Sequence, residues 1–258
     1  MASGRFSAVL AVLASLWTGC PAASPGGVDA ESASCISADT QALAGIRLDL
    51  VRTNPLLQAA LGAWTPLLDR TPDAASILFV YNGHDLLSAA RGQFRTPPSG
   101  AILLSPHLAL AGPDSAVRAA TAQHAAGRTG APALLAQAKA IAERPVWAVV
   151  AGNVQLPVAG NAANLSRLLA MTEFTTLAIE ADSRLSLHLA GICRSADAAR
   201  QLEETLRATV TLARTATHDR ALAGALPALE IRRDDSRVSV DLSAPPETIQ
   251  QLFGAMAR

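Results

Sequence analysis

Lysine is almost missing from this chain: Lys139 is the only one in 258 residues, so arginine carries nearly all the positive charge. Formal net charge is zero and no basic run occurs, which removes the electrostatic footprint a nucleic-acid partner needs and excludes that class. Aromatics are scarce at 3%, so the core has to be built from Leu, Ile, Val and Ala. Such side chains allow close helix-on-sheet packing but bury less area per residue than an aromatic core. Metal signatures are absent too. His84, His107, His124, His188 and His218 are scattered, with no pair at helical or strand spacing and no paired-cysteine motif, so neither a metal nor any other cofactor is expected. The Gly-x-Ser-x-Gly elbow, a Ser-x-x-Lys pair and the phosphate-binding glycine patterns are all missing. Enzymatic readings therefore rank behind binding ones.

What is present begins with an address. Arg5 supplies a positive flank, and Phe6 to Trp17 is an apolar run too short to span a bilayer permanently. The run ends Leu16-Trp17-Thr18-Gly19-Cys20, which resembles the lipobox of bacterial lipoproteins. That resemblance implies lipidation of Cys20 and a membrane partner reached through the N-terminal lipid. Trp17 departs from the pattern, because the family prefers leucine three residues before the cysteine. Ordinary signal-peptidase cleavage near Pro21-Ala22-Ala23 is the alternative. Either way residues 1–20 read as an export signal, placing the protein in the periplasm or on an outer-membrane or cell surface. Residues 21–43, rich in Pro, Gly, Ala and Ser at their start and without apolar periodicity, read as a flexible tether.

With Cys20 assigned to lipid, Cys35 and Cys193 remain as a pair in an oxidising compartment, and a disulfide between them is expected. Closing a loop of roughly 160 residues stabilises by at most about 5 kcal/mol in the chain-entropy picture. The alternative is a small buried apolar Cys193 and a free Cys35.

The folded body shows two periods. Strands are expected from Ile46 with Leu48 and Leu50, then at Ser76–Tyr81, Asp85–Phe94, Ala101–Ser105, Leu108–Ala111 and Val146–Ala151. Alternation of Leu177, Ile179 and Ala181, then of Leu185, Leu187 and Leu189, gives a further hairpin, and Leu229–Arg232 with Val238–Leu242 gives another. Asn82-Gly83 is the strongest turn signal and is read as a type I′ turn. Helices are expected after Asn54-Pro55, around Val117 to Thr121, over Ala133–Glu143, after Asn161, after Ser195 with Ala199, Leu202, Leu206 and Val210 on one stripe, over Asp219–Ala225, and near the C-terminus with Ile249, Leu252, Phe253 and Met256 inward. Residues 44–144 and 145–258 share one order of elements and read as two repeats of an internally duplicated α+β fold, with antiparallel sheets and helices mainly on one face. The stretches Gly45-Ile46-Arg47-Leu48-Asp49-Leu50-Val51-Arg52-Thr53-Asn54-Pro55-Leu56 and Leu110-Ala111-Gly112-Pro113-Asp114 resemble uncharacterised exported α+β lipoprotein-type proteins of bacteria. The resemblance implies no particular activity.

The most polar loop between a strand and a helix carries Asn153, Asn161 and Asn164, which makes it the candidate ligand-binding loop. Capping and turn formation also account for these residues. His84-Asp85 fits a polar hairpin tip, and Glu203-Glu204 and Asp234-Asp235 fit solvated surfaces. The leading expectation is a lipid-anchored or secreted envelope protein that acts by binding, as an accessory or structural module with an envelope protein partner. A carrier of an apolar ligand or lipid in a groove between sheet and helices is second, and a hydrolase third. Nothing in the sequence sets an oligomeric state.

Overall fold

The computed structural model describes residues 28–62, 71–152, 154, 167–216, 226–245 and 248. Within them the elements in chain order are α1 (Ala30–Ala33), β1 (Ala42–Arg47), α2 (Leu48–Thr53), α3 (Pro55–Ala60), β2 (Ala74–Tyr81), β3 (Leu86–Gly92), β4 (Ala101–Ser105) and β5 (Leu108–Ala111). They continue with α4 (Asp114–Ala125), α5 (Pro132–Lys139), β6 (Val146–Ala151), β7 (Phe174–Ala181), β8 (Leu185–Ile192), α6 (Ala196–Ala216), β9 (Leu229–Asp234) and β10 (Arg237–Ala244). Local chemistry sets several of the starts. The Asp29 carboxylate accepts from the N–H groups of Glu31 (2.9 Å) and Ser32 (3.0 Å), and Asn54 does the same for Leu56 (2.9 Å) and Leu57 (3.3 Å) with Pro55 in the first turn. The Ser195 hydroxyl accepts from the Ala198 N–H at 3.2 Å to open α6.

All ten strands join one antiparallel sheet in the order β4-β5-β3-β2-β1-β6-β7-β8-β10-β9. Outward from the β1–β6 pair the same order appears on both sides: β1, β2, β3, β5, β4 one way and β6, β7, β8, β10, β9 the other. The pair itself is sealed by Trp147, opposite Gly45 in register and 4% exposed. A side chain on Gly45 would run into the indole ring, so only glycine fits there.

The fold class is the expected α+β antiparallel architecture, but the helices occupy both faces. Neighbouring residues of one strand point to opposite faces, and both sets are buried. On the first face Leu43, Leu78, Val80, Leu87, Leu110 and Val149 pack under α1, α4 and α5, with Leu134, Leu135 and Ala138 of α5 facing them. On the second face Ile46, Ile77, Ile179 and Leu242 pack with Leu48 and Val51 of α2 and Leu57 and Ala60 of α3. Further along that second face, Ala199 and Leu202 of α6 cover Val238 of β10.

Four local expectations are corrected. The first strand starts at Ala42 and stops at Arg47, and Leu48–Thr53 is helical. Leu48 and Val51, three apart, are fully buried while Leu50 between them is half-exposed, a helical pattern within what alternation alone reads as strand. The Asn82-Gly83 turn is wider than a two-residue type I′ turn. Tyr81 pairs with Leu86, only Gly83 takes a positive φ of 100°, and the Asn82 side chain closes the loop by accepting from the N–H groups of His84 (3.0 Å) and Asp85 (2.7 Å). Residues 28–40, expected to be tether, are folded: α1 docks on the sheet, and Cys35 and Ile36 are buried at 2% and 0% exposure. A one-turn helix followed by two plugging side chains has no period to read, which is why composition suggested a linker. Finally, Cys35 and Cys193 are both free thiols. Cys35 lies in the first-face cluster under α4 and α5, Cys193 in the α6 cluster beyond β8. At about 4.8 Å per strand, the strands between these clusters exceed the Cα spacing a disulfide spans.

Candidate functional site

Among the described residues no helix covers the first face over β8, β10 and β9, where it presents Ser186, His188, Ser239, Asp241, Glu230 and Arg232, none of them buried. Strand register builds a cluster here. His188 of β8 stands directly opposite Asp241 of β10, and Glu180 of β7 lies one pair further along the same face, opposite Ser186. His188 Nδ1 is 2.7 Å from Asp241 Oδ1, and Nε2 is 3.8 Å from Glu180 Oε1. Arg144, from the segment before β6, pairs with the same Glu180 carboxylate. An ionised carboxylate only accepts, so Nδ1 carries the proton and donates it to Asp241. The imidazole is thus flanked by carboxylates at both nitrogens. An aspartate that orients a histidine also occurs in hydrolytic triads, but those need a nucleophile on the far nitrogen, where this one has Glu180. Chemically the cluster offers carboxylate acceptors, a cation and hydroxyls at exposed and half-buried positions.

The opposite face of the same strands is apolar. One cross-strand row runs Phe79, Ala44, Ala148, Leu177, Leu189, Val240 and Ile231 through β2, β1, β6, β7, β8, β10 and β9. Every member is half-buried; Phe79 packs against the α2–α3 core and Ile231 against the α6 cluster, while the neighbouring row containing Ile77, Ile46 and Ile179 is buried under α2 and α3.

Burial holds Cys35 and Cys193 toward the protonated thiol. Burial pushes the Cys35 thiol from its ordinary 9.0 up to about 11; a Ser34 hydrogen bond lowers it in part, and the Glu31 and Asp29 charges add to the rise. Burial also raises Cys193. A cavity of about 60 Å³ beside Cys35, lined by Ser37, Asp39, Asn82 and Asp85 among others, is far below the several hundred Å³ of an organic-ligand pocket. Where α6 meets β9, the half-buried Glu203 is bound by Arg207 and by Arg233 of β9, whose hydrogen bonds lower its pKa. No group of three or more His, Cys, Asp or Glu among the described residues is placed to hold a metal, and no described helix is long and apolar enough to cross a membrane.

Of the residues singled out from sequence, Cys20, Asn153, Asn161, Asn164 and His218 lie outside the described residues, as do Asp219–Ala225 and the C-terminal stripe of Ile249, Leu252, Phe253 and Met256. His84 and Asp85 sit on the β2–β3 turn as a polar tip, where Asp85 accepts from the Ser115 hydroxyl at 2.8 Å. The His188–Asp241 pair escaped sequence reading. Each residue is visible as a polar position on an alternating strand, but only the β8–β10 register, across 53 residues of chain, brings them together.

No protein-family model matches the chain, and no curated protein matches it. The fold does have solved counterparts. Crystal form III of TP0453 aligns over 86% of this chain and 97% of that one, with a TM-score of 0.51 and 8% identity. Crystal form I aligns over 88% and 97%, with a TM-score of 0.50 and 9% identity. At such identity the likeness is one of fold.

Proposed function

We propose that the protein is an exported envelope protein of the lipoprotein type, held to a membrane through Cys20, and that it acts by binding rather than by catalysis. The observation that carries the binding reading is the His188 cluster. Its charged and imidazole groups are paired with one another across three strands, on a polar face that no cleft among the described residues encloses. Such a surface suits an envelope protein partner of mixed charge, met through Arg144, Glu180, Asp241 and the charged β9 strand. The anchoring part of the reading is supported by Arg5, the apolar Phe6–Trp17 run and Gly19-Cys20. Intact-mass analysis of membrane-extracted protein tests it: the expected mature chain begins at Cys20 with acyl mass, and Cys20→Ala leaves the membrane fraction. A mature chain starting at or after Pro21 without lipid refutes it.

The half-exposed apolar row favours a second reading, a carrier for an apolar ligand lying across β2 to β9. Native mass spectrometry of the protein purified without detergent decides between them. A co-purifying lipid lost in Leu189→Asp supports the carrier; a ligand-free chain supports the binding module.

A further inference from the structure

We propose that the β4 edge of the sheet is the side that rests on the bilayer; this builds on the reading of Cys20 as the lipid-bearing residue. The first observation is how little chain separates that cysteine from the folded body. From Val28 onward the chain is fastened. Asp29 and Glu31 both pair with Arg91 of β3, and Glu31 also accepts from the Ser105 hydroxyl of β4 at 2.6 Å. Ser34 and His124 of α4 are 2.7 Å apart, and the Gly130 N–H donates to the Ile36 carbonyl at 2.8 Å. Only Pro21 to Gly27 remain between anchor and body. Seven residues reach at most about 25 Å in any conformation.

The second observation is where this short link lands. Arg91 and Ser105 belong to β3 and β4, so the link enters at the β4 side of the sheet. The other edge, β9, lies nine strand spacings away, about 43 Å along the sheet.

The third is independent of the link. β4 reads Ala-Ile-Leu-Leu-Ser, without a charge, and its Ile102 is 45% exposed. β9 carries Glu230, Arg232, Arg233 and Asp234, all exposed. Charged side chains resist loss of water more than the apolar side chains of β4 do. The outward N–H and C=O groups of β4 can bond to headgroups and interfacial water, which fits a strand resting at the headgroup level. Link and composition select the same edge, and they leave the His188 cluster of β8 seven strand spacings along the sheet from it, within reach of an aqueous partner.

The test places a photo-crosslinking residue, p-benzoylphenylalanine, at Ile102 or at Arg232 of the full chain. Each lipidated protein is bound to vesicles of phosphatidylethanolamine and phosphatidylglycerol and irradiated, and lipid adducts are counted by mass spectrometry. Both positions are exposed, and circular dichroism confirms that each variant folds. At least tenfold more lipid adduct at position 102 than at 232 is the expected result. Equal yields, or a higher yield at 232, overturn the proposal. Should intact mass show no acyl groups, the reading of Cys20 fails separately. A chain produced from Cys20 onward, with a diacyl maleimide coupled to that cysteine, then supplies the anchor, and the same pair of yields decides the orientation by the same criterion.

Discussion

The two halves of the sheet share a strand order but not a covering. β5 reads Leu-Ala-Leu-Ala, with its first three side chains buried, because helices lie on one side and the second-face core on the other. Its counterpart in the mirrored order, β10, is buried at Val238, Leu242 and Ala244 on the side that α6 and the α2–α3 core cover, and half-buried at Ser239, Asp241 and Ser243 on the other. Continuous apolar strands are those covered twice, and alternating strands those covered once. The half with one bare face is the half that carries the polar cluster.

The largest expected effect breaks the junction that makes one sheet of the two halves. Trp147→Ala removes the buried ring that fills the space over Gly45 and is expected to cost about 3–5 kcal/mol in urea denaturation, in the range of buried aromatic deletions. A loss under about 1 kcal/mol would mean the junction is not where the halves are joined.

Next, matched truncations compare the double and single covers. Leu135→Ala, 6% exposed under the first face, is expected to cost about 2–4 kcal/mol, and Leu189→Ala, half-exposed on the apolar row, about 1 kcal/mol or less. Equal losses would show that something covers the row in solution.

A third comparison uses pH. The Cys35 thiol is raised to about 11 in the fold and is 9.0 ordinarily, so the folded state holds its proton longer. Its contribution to stability is complete below about pH 9 and is lost as pH rises toward about 11. Urea midpoints at about pH 8 and about pH 11 should therefore fall less in Cys35→Ala than in the parent chain. Identical falls would place the thiol in a wetter site. The native thiol should also resist alkylation until the chain unfolds.

The smallest effect belongs to the bare polar face. Asp241→Asn removes one charge of a half-exposed pair and is expected to change stability by about 1 kcal/mol or less. A larger loss would make the cluster structural rather than a recognition surface.

Legibility in the sequence followed the range of the interactions. The short hairpin of Ala101–Ser105 and Leu108–Ala111 and the strand Val146–Ala151 are local alternations and stand where the pattern put them. Asn54-Pro55 and Ser195 open helices because a cap acts over three residues. Leu48 to Thr53 misled, since a two-turn segment offers too few residues to separate a period of two from one of 3.6. The docking of 28–40 depends on Arg91, Ser105 and His124, contacts far along the chain that composition cannot register. The same holds for the two thiols: counting cysteines made a pair of them, and only the strand order shows them in separate cores.

The β1–β6 pairing also sets an order of events as the chain is made. β1 meets β2 after about 30 residues, but β6 arrives roughly 100 residues later. The first five strands are thus complete while β1 is still an open edge, its outward N–H and C=O groups unpaired and no charged residue before Arg47. An unpaired apolar edge of that kind invites another strand, including the same strand of a neighbouring chain. During synthesis the protein therefore passes through an adhesive half-sheet, and a chain cut short after Arg144 would never leave that state.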